Sequence, residues 1–255
     1  MRRMFSQPAK RFFSVLSRKT GRITNHRYAG LPFWKRLFDL LLILVLLPGA
    51  LLLALAVAVT IRLGSKGPIL FRQQRVGFKG RLFTCYKFRT MHVQAECSSH
   101  RAYTRQLMKS EIPMTKLDCQ NDPRLIPLGA VIRATGLDEL PQLMNVLLGD
   151  MSIVGPRPCI PYEYEAYEVW QRKRFNAFPG LTGLWQVNGK NRTTFNQMIQ
   201  MDIEYSERLS PWLDLKIVIL TIPTILKQCL EVHSGKRRSV VHSSDFAKPI
   251  QTHRI

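Results

Sequence analysis

Asp138 and Glu139 stand side by side in the stretch RATGLDELPQLMNVLLGDMSIVGPRP, residues 133–158. Adjacent carboxylates can hold a metal ion, and one of them can attack phosphorus as a nucleophile. Arg133 and Arg157 bracket the pair in sequence, and a guanidinium presents parallel donors that match a phosphate group. The combination predicts a phosphorylated substrate. Asp122, Asp150 and Asp202, with Lys87 and Arg89, complete the candidate set. Singly, each has a structural reading: Asp122 as a turn residue before Pro123, Asp150 as a cap after Gly149, Lys87 and Arg89 as solvated strand charges.

Several other devices are absent from the sequence. There is no Gly-x-x-x-x-Gly-Lys-Ser/Thr loop, no Gly-x-Gly-x-x-Gly and no Asp-x-Asp pair. The six histidines are scattered and the five cysteines lack metal-type spacing, so no zinc site is expected. An odd number of unpatterned cysteines fits a reducing compartment.

The elements that must position these side chains follow from periodicity. Leu140, Leu143, Met144, Leu147 and Leu148 form one helical stripe that Gly149 stops, with Pro141 in the first turn. This predicts Asp138 and Glu139 at the N-cap and first positions of a helix, where free N–H groups favour an ionised carboxylate. GPRP, residues 155–158, reads as a rigid loop fixing Arg157, followed by a helix with Glu163, Glu165 and Glu168 on its polar face. Residues 178–191 form a glycine-punctuated loop, and two helices are expected around 196–208 and 212–230. The second contains IVILTIPTIL, too short to span a bilayer and read as buried or interfacial, with Trp212 at headgroup level. Upstream, residues 69–71, 72–76 and 82–88 read as small strands, hairpin-paired, and 94–122 as a helix and a loop.

Charge is uneven along the 255 residues. Residues 1–95 hold 18 Lys or Arg against one acid, Asp39, whereas the whole chain carries +21. Inside that basic third, residues 40–59 are apolar and uncharged, long enough as a helix to match a hydrocarbon core of about 30 Å. Pro48 and Gly49 at the centre predict a kink or break. Both flanks are basic, so the positive-inside bias gives no orientation. Either a kinked span or a re-entrant hairpin turning at Pro48 satisfies these observations. Residues 1–33 read as a basic arm resting on anionic lipid; a mitochondrial transit peptide shares that composition, and no cleavable secretory signal is evident. Residues 233–255 are polar and aperiodic and read as a disordered tail. Nucleic acid is not an expected partner, because aromatics are not interleaved with the basic patch.

The motifs resemble those of the bacterial sugar transferases, the monotopic phosphoglycosyl transferases. The matching pieces are KRLFDLLL (35–42), RQQRVGFKGRLFTCYKFRTM (72–91), residues 121–158, PGLTGLWQVNGKN (179–191) and DIEYSERLSPWLDLKIVILTI (202–222). The resemblance implies an α+β, mostly helical monotopic enzyme with a re-entrant membrane helix (34–62) broken at Pro48, interfacial amphipathic helices, a small β-hairpin or sheet, and a catalytic domain at 63–232. It implies Asp138 as nucleophile and Glu139 as its partner, both binding Mg2+. The implied phosphate ligands are Arg133, Arg157, Lys87 and Arg89, with Asp202 and Gln186 as further site residues. The implied reaction moves a sugar-1-phosphate from a UDP-sugar to undecaprenyl phosphate through an aspartyl phosphosugar, releasing UMP. It would be the first membrane step of exopolysaccharide, capsule or O-antigen synthesis, on the cytoplasmic face of the bacterial inner membrane. The anionic bilayer is the implied surface, and self-association into a homodimer stays open. The chain reads as a small, catalytic-core member. It departs from the family pattern in its long polar stretch 94–120, to which no role is assigned, and in Asn188-Gly189-Lys190 where many members have Ser-Gly-Arg.

Overall fold

The computed structural model describes residues 30–92, 104, 107, 108, 110, 112–114, 124–189 and 193–233. The chain divides into two compact units, Met1–Gly30 and Leu31–Ile255. The expected basic arm, the C-terminal tail from 234, Asp122, Lys190 and most of 94–120 lie outside the described residues.

The second unit is mostly helical with two small sheets among the described residues. Helix α1 (Phe33–Gly64) leads into the strands β1 (Leu70–Val76) and β2 (Leu82–Phe88). These pair antiparallel from Leu70 opposite Phe88 to Val76 opposite Leu82. The pieces expected at 69–71 and 72–76 are thus one strand. Helix α2 (Gly129–Thr135) ends at Gly136, whose φ of 75° is left-handed, and a 3-10 turn (Leu137–Glu139) precedes α3 (Gln142–Leu148). Strand β3 (Ser152–Val154) pairs parallel with β4 (Gly180–Thr182), a pairing that short apolar runs in sequence do not announce. Between them lie α4 (Pro161–Ala166) and a 3-10 segment (Gln171–Asn176). Beyond them come α5 (Leu184–Val187), α6 (Phe195–Glu207) and α7 (Pro211–His233). Thr194 caps α6: its hydroxyl accepts from Gln197 N–H and the Gln197 side chain accepts from Thr194 N–H.

Pro48 lies inside α1, so of the kink and the break that the sequence permits, the helix is not broken there. Both ends of α1 dock on the same body. At its start Lys35, Asp39 and Ile43 are buried, each one turn after the last, and at its end Val57 and Ile61 are buried. Ile43 joins a core with Val146, Val154, Tyr205 and Ile217, while Val57 and Ile61 join another with Phe88, Ile126 and Ile132. No residue from 44 to 56 is buried, and Leu44, Val45 and Leu52 are mostly exposed. A helix lying flat on the domain would bury a residue every three or four positions along its whole length. The middle therefore stands off the protein, with its apolar side chains uncovered.

Three sequence expectations are corrected here. Asp138 and Glu139 sit in the 3-10 turn before α3, whose N-cap is Pro141, not at the N-cap and first position themselves. The most buried face of α3 is Gln142, Asn145 and Val146, whereas Met144 of the expected stripe is exposed, because Asn145 makes hydrogen bonds in the interior. Glu163 is buried and accepts from Ile160 N–H at the start of α4, rather than lying on a polar face, and Glu168 falls beyond that helix.

The β3–β4 pairing brings the GPRP loop against PGLTG, backbone to backbone. Gly155 N–H donates to Thr182 O at 2.8 Å and Gly180 N–H to Pro156 O at 2.9 Å. A Cβ on Gly155 would collide with the Phe178 carbonyl oxygen, whereas one on Gly136 would meet open space and suffer only from its positive φ. In thermal unfolding in detergent, Gly136→Ala is expected to cost about 1 kcal/mol through backbone strain. Gly155→Ala is expected to cost about 3 kcal/mol or more through overpacking. Equal losses would contradict the tight crossing.

Candidate active site

The carboxylate pair is carried by the turn between two helices, and its position is set by α3. Asn145, fully buried, takes the place of a third strand beside β2. Its amide donates to Thr84 O at 2.7 Å and its carbonyl oxygen accepts from Tyr86 N–H at 3.1 Å. Nothing about Asn145 marks it in sequence except a polar side chain among the apolar positions of a helix. Removing it would leave a strand donor and acceptor unpaired in the interior.

Held this way, Glu139 meets the neighbouring strand: Lys87 on β2 donates to Glu139 Oε1 at 2.6 Å, with both side chains partly exposed. One residue pair earlier on β2 lies Cys85, buried. Burial raises its pKa, and the charges of Lys87, Arg75, Glu139 and Arg157 all act on it. Of these groups Lys87 and Glu139 are in direct contact, joining β2 to the dyad turn. Arg157 itself is exposed, on a loop whose backbone is buried on both sides. Arg133 lies on the last turn of α2, partly buried, just before Gly136 and the dyad.

Arg89 and Asp202 are placed differently from the expectation. Arg89 is buried and closes the end of α1: Nε donates to Pro68 O, Nη1 to Ser65 Oγ and Nη2 to Ser65 O, at 2.6, 2.9 and 3.1 Å. Its three nitrogens serve the helix terminus. Asp202 is buried in α6 and pairs with Arg174 of the 3-10 segment 171–176. Burial pushes the Asp202 carboxyl up to about 6, against the pull of the Arg174 charge. Arg174 in turn donates to Arg157 O at 2.8 Å and to the Tyr167 hydroxyl at 2.6 Å. Asp202 therefore bears on the site through the backbone of Arg157. Gln186 sits on α5 with its Oε1 buried and without a hydrogen-bond partner, its amide 3.5 Å from Leu181 O in the PGLTG loop.

Metal chemistry is bounded by the donors present. Among the described residues no three His, Cys, Asp or Glu side chains cluster to form a protein cage. Mg2+ needs no such cage, since it is commonly held by one or two carboxylates together with substrate phosphates and water. The hard oxygens of Asp138 and Glu139 fit that mode.

The second buried thiol, Cys159, follows the GPRP loop, and burial pushes its pKa up to about 12. Thiol alkylation proceeds through the thiolate. Iodoacetamide at pH 8 is expected to leave Cys85 and Cys159 unmodified in the native protein and to modify both in urea, read by peptide mass spectrometry. Modification of Cys85 in the native protein would overturn its burial.

The family profile described as bacterial sugar transferase matches residues 31–228. The galactosyl transferase CpsE of Streptococcus agalactiae is 43% identical over 161 residues, 63% of this chain and 35% of that protein. The exopolysaccharide production protein ExoY of Sinorhizobium fredii is 37% identical over 191 residues, 75% of this chain and 84% of its own length. A UDP-glucose:undecaprenyl-phosphate glucose-1-phosphate transferase of Xanthomonas campestris is 37% identical over 235 residues, 88% of this chain and 45% of that protein. The chain thus spans about a third of the first relative, under half of the third and most of ExoY.

Proposed function

Because the chain belongs to the bacterial sugar transferase family, we propose that it moves a sugar-1-phosphate from a UDP-sugar to undecaprenyl phosphate through an aspartyl phosphosugar on Asp138. The observation that carries the reading is the Lys87–Glu139 ion pair, which ties the Asp138 turn to β2 on a body to which both ends of an apolar helix are docked. The relatives' names add the substrate class: one names a UDP-sugar donor and the polyprenyl acceptor, another exopolysaccharide production.

In this scheme a carboxylate oxygen of Asp138 attacks the β-phosphorus of the donor. The bond from that phosphorus to the bridging oxygen breaks, the oxygen leaves with UMP, and the phosphosugar remains on Asp138 as an acyl phosphate. A phosphate oxygen of undecaprenyl phosphate then attacks the same phosphorus, and the Asp138 carboxylate leaves unchanged. In this reading Arg157, Lys87 and Arg133 stabilise the equatorial oxygens. Glu139, fixed by Lys87, orients the dyad. Mg2+, when bound, would be held by Asp138 and Glu139 and would offset the negative charge of the diphosphate.

The membrane part of the proposal is a re-entrant α1 that bends at Pro48 and returns to the cytoplasmic side. The burial of residues 35–43 and 57–61 on one body, with the apolar middle bare, supports it. Helix α7 supports an interfacial bearing: Trp212, Ile219, Ile222 and Leu226 are exposed, a row of apolar groups for the acyl boundary. A soluble donor and a lipid acceptor would then use one site in turn.

Membranes containing the protein, Mg2+ and undecaprenyl phosphate are expected to release UMP from one member of a UDP-sugar panel, with UDP-galactose and UDP-glucose as first probes. Asp138→Asn should lower the rate at least about 1,000-fold. Retained transfer by that variant would overturn the nucleophile. For topology, single cysteines replacing Arg3 and Lys66 in a cysteine-free background should both react with an impermeant maleimide from the cytoplasmic side only. Opposite sides would establish a span.

A further inference from the structure

Arg157 stands between two prolines, and neither Pro156 nor Pro158 has an N–H to hold the loop in place. The carbonyls do that instead. Val154 O accepts from Lys35 and Tyr205, Pro156 O from Gly180 N–H, and Cys159 O from Val76 N–H. The two carbonyls nearest the Arg157 side chain are taken by buried guanidiniums. Arg174 Nη2 donates to Arg157 O at 2.8 Å, and Arg75 Nη1 donates to Pro158 O at 3.1 Å. Arg174 and Arg75 are 2% and 6% exposed, and they come from opposite sides, one from the 3-10 segment 171–176 and the other from β1.

A buried guanidinium is costly unless paired and is rarely used where a backbone N–H would serve. Arg174 is paired with Asp202 and Tyr167, and the same Nη2 that meets Asp202 also donates to the loop. Among the described residues Arg75 has Gln73 Oε1 besides Pro158 O, and its Nε is buried with no hydrogen-bond partner among them. It also feels the like charge of Arg157. The like charge of Arg157 disfavours the Arg75 guanidinium and the Glu163 carboxylate favours it, so an anion bound at Arg157 would relieve the repulsion on Arg75.

From this geometry we infer that Arg75 and Arg174 are positioning residues that clamp the carbonyls of Pro158 and Arg157, so that the Arg157 guanidinium meets the donor diphosphate in one orientation. The inference rests on the transferase reading above. The two arginines do not touch substrate. They act through Arg157, and Asp202 acts through Arg174. A lysine at 174 keeps the charge opposite Asp202 but cannot reach Asp202, Tyr167 and Arg157 O along three fixed directions.

The test is a double-mutant cycle on UMP release at varied UDP-sugar concentration, using the purified full chain with undecaprenyl phosphate. Arg157→Ala should lower kcat/KM about 100-fold, the loss typical of a removed transition-state donor. Arg174→Lys should lower it about 10-fold in the wild-type background and less than about 2-fold in the Arg157→Ala background. The loss should fall mainly on kcat, with the melting temperature of Arg174→Lys close to that of wild type. Equal fold-losses in both backgrounds would overturn the clamp. If Arg174→Lys does not fold, Arg75→Lys, which breaks fewer contacts, is put through the same cycle with the same criterion. A wild type that releases no UMP from any UDP-sugar overturns the transferase reading and not the clamp. The coupling is then read as the same non-additivity in UDP affinity by calorimetry, where additivity would overturn it.

Discussion

An ammonium group sealed from water joins the apolar helix to the rest of the molecule. Lys35 is 1% exposed and donates to Val154 O, to the Tyr205 hydroxyl and to Asp214, which is itself fully buried. Four residues on, Asp39 accepts from Ser152 Oγ and Ile153 N–H on the same strand. An isolated charge in such surroundings would be prohibitive, so Lys35 must find these partners for the structure to form, and removal of one partner is expected to cost about 3–5 kcal/mol. What it fixes is considerable. Helix α1, β3, α6 and α7 meet there, and β3 leads directly into the loop that carries Arg157.

Much of the rest is organised by the same need to satisfy polar groups away from water. Asn145 completes the edge of β2 and thereby hangs the dyad turn beside Lys87. Arg36 donates to Val146 O and Leu147 O, tying the first turn of α1 to the end of α3. Arg89 closes the other end of α1. The exposed carboxylates and cations of the site are therefore mounted on elements whose own polar groups are consumed in holding one another. Such mounting gives the groups of the site a fixed orientation.

The dyad, the hairpin, the helices at 195–207 and 211–233 and the apolar segment were legible in the sequence, because each depends on local periodicity or on neighbours in the chain. The roles of the buried charges were not. Lys35 and Arg36 read only as part of the basic flank of the apolar segment, since nothing nearby announces Asp214 or Tyr205 as partners. Arg89 reads as a solvated or phosphate-binding cation, and only the fold places Ser65 and Pro68 against it. Asp202 is recognisable as a candidate, but its effect passes through Arg174, a residue with no motif around it. Glu163 was misread because helical spacing cannot tell a buried capping carboxylate from one on a solvated face. Pairings between distant residues are invisible to periodicity.

The Lys35–Asp214 pair spans 179 residues of chain, and this separation has a consequence for biosynthesis. At about 5–20 residues per second of translation, Lys35 is added to the chain roughly 9–36 seconds before Asp214. The apolar segment between Lys35 and Ile61 is complete within the first few of those seconds and seeks the bilayer at once. Asp39 finds Ser152 and Ile153 as soon as β3 is made, whereas Lys35 waits for Asp214. The start of the helix is thus fastened in two stages, its anion first and its cation last.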